Sequence, residues 1–182
     1  NSLLMSQQNG TIKFSDFLDE KHMHSLYEKF ILEYYKRHYP CLNPAASKIA
    51  WRTDDNMIDF LPEMRSDITL KHRDEVLIID AKYYGKSMQT SMYNKKTVHS
   101  GNLYQIFTYV KNKDVNNSGK VSGMLLYAKT DDEISPDFTY KLSGNTIKVA
   151  TLDLNLPFAE IASQLDAIVC EWDSTLSSAK VC

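Results

Sequence analysis

Cysteine is scarce in this chain. Its 182 residues include three, Cys41, Cys170 and Cys182, an odd number at wide spacing with no Cys-x-x-Cys pair. That pattern speaks against a zinc knuckle and makes a disulfide framework unexpected; a reducing cytoplasm fits it best. Long apolar runs are missing too. Nothing approaches the roughly 20 residues a membrane-spanning helix needs, and no secretory leader is visible. Basic excess is absent: the net charge is −2, so no global field draws the chain to DNA or to an anionic membrane. Any nucleic-acid contact must come from a local patch. There is no internal repeat and no low-complexity tract.

What is present describes one globular unit. Hydrophobic residues make up 43% of the chain, enough for a sizeable core in a single domain over 1–182. The sequence opens on Asn1 rather than methionine, and we expect the C-terminal part of a longer chain, with 1–23 as a linker or lead-in. His24–His38 carries Leu26, Phe30, Ile31, Tyr34 and Tyr35 at helical spacing, ahead of Pro40. Glu33 and Arg37 stand in the favourable order for an exposed helical pair. Ser47–Thr53 and Asn56–Pro62 read as short strand-like segments. Met64–Leu70 alternates as a strand, Lys71–Glu75 is a polar turn, and Val76–Lys82 is the returning strand of a hairpin. Lys86–His99 is aperiodic and reads as a loop. Ser100 is placed to cap a helix whose apolar face is Leu103, Ile106, Phe107 and Val110. Val121–Lys129 is almost continuously apolar, as a central strand covered on both faces would be. Phe138–Leu154 reads as a hairpin turning at Ser143–Asn145, and Pro157 opens a last helix with Phe158, Ile161, Leu165 and Ile168 on one side. The order predicts an α/β fold, a mixed central sheet flanked by helices.

The chemistry concentrates where "VLIIDAKYY" ends. Strand side chains alternate, so Asp80 and Lys82 share a face. The hairpin brings Asp67 alongside Asp80. Two carboxylates brought together repel, the more so when buried, and a hard divalent cation relieves that repulsion. Magnesium accepts one or two carboxylates, completing its shell with water and substrate phosphate. Lys82 would then stand where it can orient an attacking water and stabilise charge on a phosphate. For Asp-x-Lys alone a surface salt bridge is the plainer interpretation; Asp67 on the preceding strand weakens it. On the following helix Asn102, Gln105 and Tyr109 form a polar stripe opposite Leu103 and Phe107, which read alone is a solvated face.

Asp67, then "IIDAK", then "QIFTY" resembles the core of the PD-(D/E)xK nucleases, and with it a restriction-endonuclease-like fold. More narrowly, "LYEKFILEYY", "LPEMRSDITL", "LIIDAKYY" and "NLYQIFTYV" look like the nuclease half of McrC, the cleavage subunit of McrBC-type modification-dependent restriction systems. The resemblance runs from about Leu26 to Leu165. The short core motif is weakly specific, and the four longer strings in order carry the weight. The resemblance implies Asp67 and Asp80 as metal ligands, Lys82 as the catalytic lysine, Gln105 and Tyr109 as accessory groups, and Glu28 as an acid completing the metal shell. It implies Mg2+, with Mn2+ as a substitute, DNA as substrate, an McrB-like AAA+ GTPase as partner, and self-association for double-strand cleavage. Ser66 stands where such motifs often carry proline, a departure that touches no chemistry. McrC proteins are longer than this chain, and we see no counterpart here of the part that engages the motor.

From Ala81 to Lys113 there is no Asp or Glu, while Lys82, Lys86, Lys95, Lys96, Lys111, Lys113 and His99 all fall in that span. Lys86, Lys95, Lys96 and His99 are the candidate DNA contacts, positioning a duplex through its phosphates; a solubilising loop is the bland alternative. His22 and His24 lack further ligands for a zinc site, and Trp51 and Trp172 read as packing residues. Two other functions stay open: a non-catalytic subunit that stimulates a nucleotide-driven motor, and a repair nuclease of the same fold.

Overall fold

In a computed structural model the chain is described over residues 14–83, 88–90, 96–129 and 135–176. Helix α1 runs Phe14–His38, starting well before the expected His24 and taking in part of the 1–23 lead-in. Strands β1 (Lys48–Ile49) and β2 (Met64–Arg65) form a small pair. The main sheet holds β3 (Ile68–His72), β4 (Glu75–Lys82), β7 (Val121–Ala128), β8 (Phe138–Leu142) and β9 (Asn145–Leu152), in the order β3-β4-β7-β9-β8. β4, β7 and β9 are parallel, and β3 and β8 pair antiparallel at the two edges. Between β4 and β7 come the hairpin strands β5 (Met88–Thr90) and β6 (Lys96–Val98) and helix α2 (Ser100–Lys113); α3 (Phe158–Trp172) closes the order. The mixed five-stranded sheet flanked by helices is the predicted α/β class and is consistent with a restriction-endonuclease-like fold.

The alternation of strand side chains separates two cores. Leu77, Ile79 and Ala81 of β4 join Met124 and Leu126 of β7 under Tyr27, Ile31 and Tyr35 of α1 and Leu165 of α3. Ile78 of β4, Leu125 and Tyr127 of β7 and Ile147 of β9 pack against Ile106, Tyr109 and Val110 of α2. Asp80 and Lys82 share parity with Ile78 and so lie on the α2 face. Tyr34 and Tyr35 of α1 bury their rings and keep their hydroxyls bonded: Tyr35 donates to Leu165 O at 3.1 Å and Tyr34 to Asp166 Oδ1 at 2.6 Å, which half-buried Tyr39, just past the helix, also reaches at 2.7 Å. Gly123 lets α2 approach closely, since a Cβ there would meet Ile106 Cγ1 and Val110 Cγ2 at 2.8 Å.

Several sequence expectations change. Asn56–Pro62 is not a strand; Asn56 and Phe60 have φ of 61° and 65°, a left-handed backbone no strand admits. The Ser47–Thr53 strand shrinks to β1. Met64–Leu70 is interrupted at Ser66–Asp67, so Asp67 stands just before β3 rather than within a strand. The turn that follows β3 is only Arg73–Asp74, with Arg73 at φ 54°. The Lys86–His99 span contains the β5–β6 hairpin. Ser100 is the first residue of α2 and His99 precedes it, without a side-chain cap. Glu33 pairs with Lys36 at 2.8 Å, not with Arg37. Cys170 is a free thiol, whereas Cys41 is disulfide-bonded, which the spacing did not lead us to expect. Trp51 and Trp172 pack against the two cores as anticipated. No described helix is long and apolar enough to cross a membrane.

Candidate active site

Four apolar residues in succession carry β4 into the centre of the sheet, and Asp80 and Lys82 follow before it emerges. Asp80 is 1% exposed and Lys82 7%. One step beyond the Ile68–Ile79 pair, the antiparallel register sets Asp67 opposite Asp80. Asp67 Oδ2 accepts the Ala81 N–H at 2.8 Å, which fixes that carboxylate against β4. Ser66, in the position where proline was a common alternative, is buried; its Oγ bonds Thr69 Oγ1 at 2.7 Å and accepts the Ser47 N–H at 3.1 Å. The bend that presents Asp67 is therefore held by a hydroxyl.

Lys82 Nζ lies 2.8 Å from Asp80 Oδ2 at ion-pair distance. Neither Asp80 oxygen has a well-aligned hydrogen-bond donor, though both are buried. Lys82 also donates to Gln105 Oε1 at 3.3 Å, and Gln105 Nε2 donates to Tyr109 Oη at 2.9 Å. The polar stripe of α2 thus faces the sheet, not solvent as its pattern alone suggested, and Tyr109 is buried with Ile106 and Val110. Tyr127, which no sequence signal distinguished within its apolar strand, is Lys82's partner in the β4–β7 ladder and accepts from Asn102 Nδ2 at 2.9 Å.

Negative charge is concentrated here. Burial pushes the Asp67 carboxyl up to about 7, helped by the charges of Asp80 and Glu28 and opposed by the Ala81 N–H and by Lys82. Burial also raises Asp80, with Lys82 pulling the other way. Glu28 lies on α1 beside a cleft of about 320 Å³ that Ser25, Lys29, Ala46, Ser66 and Asp67 also line. His24 holds it: Nδ1 is 2.7 Å from Glu28 Oε1, and that bond raises the imidazole's pKa. The i,i+4 spacing of His24 and Glu28 is the signal in the sequence for this pair, which the pairing of His24 with His22 does not reveal.

Among the described residues no three His, Cys, Asp or Glu side chains already enclose an ion site. A hard cation nevertheless fits Asp67 and Asp80: they are oxygen donors, mutually repelling, with Asp80 Oδ1 buried and unbonded beside the Oδ2 that faces Lys82, and magnesium accepts two carboxylates and water. Of the candidate DNA contacts, Lys86 and Lys95 lie outside the described residues. Lys96 opens β6, its side chain also outside them, and half-buried His99 precedes α2 with its ring centroid 6.5 Å from that of Tyr127.

The sheet, its two helical layers and the acid–lysine strand end put the chain with the restriction-endonuclease-like α/β proteins. Residues 6–128 match the family described as McrBC 5-methylcytosine restriction system component. The chain is 32% identical over 176 residues to the type IV methyl-directed restriction enzyme EcoKMcrBC of Escherichia coli (strain K12), covering 94% of this chain and 50% of that protein. This chain belongs to the McrBC restriction-system component family, and it spans about half the length of that curated relative.

Proposed function

We propose that the chain is the DNA-cleaving component of a modification-dependent, 5-methylcytosine-type restriction system, a magnesium-dependent endonuclease working with a GTP-hydrolysing AAA+ partner. The observation that carries this is the pairing of half-buried Asp67 with fully buried Asp80, with Lys82 2.8 Å from Asp80. Asp67 and Asp80 would hold the ion, with Glu28 at the rim of the same cleft. A bound magnesium, or manganese in its place, supplies positive charge for a substrate phosphate and lowers the pKa of coordinated water. Lys82 donates N–H groups toward the phosphate or the attacking water, where charge develops during hydrolysis. Gln105 occupies one of those donors and Tyr109 steadies Gln105, so α2 sets the direction of the ammonium. Lys86, Lys95, Lys96 and His99 would position the duplex through phosphates, and a second copy would serve the second strand.

The Escherichia coli relative is a methyl-directed restriction enzyme, which supports the substrate class. The test is cleavage of methylated and unmethylated plasmid by the full-length protein with its GTPase component, GTP and Mg2+. We expect linear product only from methylated DNA and only with both components. Stimulated GTP hydrolysis with DNA intact under every condition would instead make the chain a non-catalytic subunit.

A further inference from the structure

The cleft beside Asp67 is lined by cations as well as acids. Ser25, Glu28 and Lys29 share one face of α1 and form one wall; Arg65 and Asp67 stand on the other. Glu28 and Asp67 belong to the acid cluster already described. Lys29 and Arg65 are exposed, and neither is ion-paired among the described residues. Ile49 and Met64 are buried on the inner side of the β1–β2 pair, which turns Lys48 and Arg65 outward. The register sets Lys48 directly opposite Arg65, where like charges repel and cost stability. Glu63 meets Lys48 at 2.5 Å and leaves the Arg65 guanidinium to the cleft.

Position selects what fills this cleft. Arg65 is two residues from Asp67, at most about 7 Å of chain. A substrate phosphate held at Asp67 and Asp80 therefore has its neighbour on the same strand within reach of Arg65 and Lys29. Lys82 faces α2, on the other side of the acid pair, so cations flank the acids from both sides. Another part of the chain could not fill the cleft and still leave Asp67 open to substrate. Resting on the function proposed above, we infer that Lys29 and Arg65 form a subsite for the DNA phosphate next to the one being cut. Arg65 would grip it with paired N–H donors and Lys29 would act as a point charge. The acid-free span from Ala81 to Lys113 directs attention to the α2 side alone. Lys29 follows Glu28 and Arg65 lies two residues from Glu63 and from Asp67, so neither belongs to a basic run in the sequence.

Two measurements on the full-length protein test this. The first is affinity for a short duplex at several salt concentrations, with the GTPase component and Mg2+ but no GTP. Lys29→Gln and Arg65→Gln should each make the slope of log affinity against log salt shallower by about 0.9, as loss of one phosphate contact does on duplex DNA. The loss should be equal on methylated and unmethylated duplex, because phosphate contacts read no base. Arg65→Lys should restore most of the slope, and no variant should lower the melting temperature. The second is lysine acetylation read by mass spectrometry. Lys29 should react in DNA-free protein and be protected by duplex, while Lys141, on the opposite edge strand β8, reacts in both. Unchanged slopes in both glutamine variants, or a loss confined to methylated DNA, overturn the inference. So does a Lys29 that is already protected without DNA, since another part of the chain then covers the cleft, or one that duplex leaves reactive. The cleavage assignment is read separately: Asp80→Ala should cut no DNA yet still show Lys29 protected by duplex. Cutting by Asp80→Ala would sink the nuclease assignment alone, and a reactive Lys29 in DNA-bound wild type would sink the subsite alone.

Discussion

Asp67 and Asp80 oppose one another across the start of the β3–β4 ladder, and the cost of that arrangement is measurable. The folded Asp67 carboxyl titrates at about 7, far above an unfolded aspartate. A raised folded-state pKa contributes stability that is fully present below the unfolded pKa and lost as pH rises through the folded one. In metal-free buffer, stability should therefore decline between about pH 4 and pH 7. Asp67→Asn keeps an acceptor for the Ala81 N–H and removes the charge. It should flatten that decline and raise the melting temperature at pH 8 by a few degrees, about 1 kcal/mol being worth roughly 3 °C at this size. Thermal melts from pH 4 to pH 8 in chelator check this; a lower melting temperature at pH 8 would show that the two carboxylates do not strain one another. Lys82 makes the complementary case. Under the proposed function its ammonium serves phosphate and water rather than the cation, so Lys82→Ala should lose cleavage at least a hundredfold, about the effect of removing one transition-state donor, while calorimetry still detects divalent-ion binding. Loss of both would assign Lys82 a structural role.

At the scale of elements, α2 brings Gln105 and Tyr109 to the site, and its far end is fixed by a buried polar cluster. Asp114 follows α2 and is buried. It accepts from the Ser118 N–H and Oγ at 2.8 Å, the Gly119 N–H at 2.9 Å and Asn145 Nδ2 at 2.7 Å. Those donors hold its carboxyl down at about 2 in spite of burial. A depressed pKa contributes stability above the unfolded value that is lost as pH falls through the folded one, here between about 4 and 2. Asp114→Ala should cost on the order of 2 kcal/mol at neutral pH by denaturant melts, since a shift of one pKa unit is about 1.4 kcal/mol, and should flatten the acid limb. An unchanged midpoint would mean α2 is held by its apolar face alone. This cluster was not legible in the sequence, where 115–119 reads as a plain linker, because its partners Asp114 and Asn145 are 31 residues apart. The central strands were legible, since residues 76–79 of β4 and most of β7 form apolar runs as doubly covered strands do. The β1–β2 loop was not: "NMIDFLP" has strand composition, and only the left-handed backbone at Asn56 and Phe60 shows that it is no strand.

For the molecule as a whole, the sheet brings an acid pair and a lysine from local strands together with a helix that lies 23 residues further along the chain. Asp67, Asp80 and Lys82 could be placed from alternation and a hairpin, because those rules are local. Gln105 and Tyr109 needed the resemblance to a nuclease core, since the helix pattern alone would have turned them to water. Gly123 supplies the missing physical reason: without a Cβ it lets α2 settle close to β7, which carries the polar stripe against Lys82. Under the proposed function, Asp80 holds an ion on which DNA hydrolysis depends. The most direct test is Asp80→Ala, assayed for DNA cleavage with the GTPase component and for its melting temperature with and without Mg2+. The account predicts a folded protein, at least as stable as wild type without metal, that gains no stabilisation from Mg2+ and cuts no DNA. An Asp80→Ala protein that still cleaves, or that is stabilised by Mg2+ as wild type is, would contradict it.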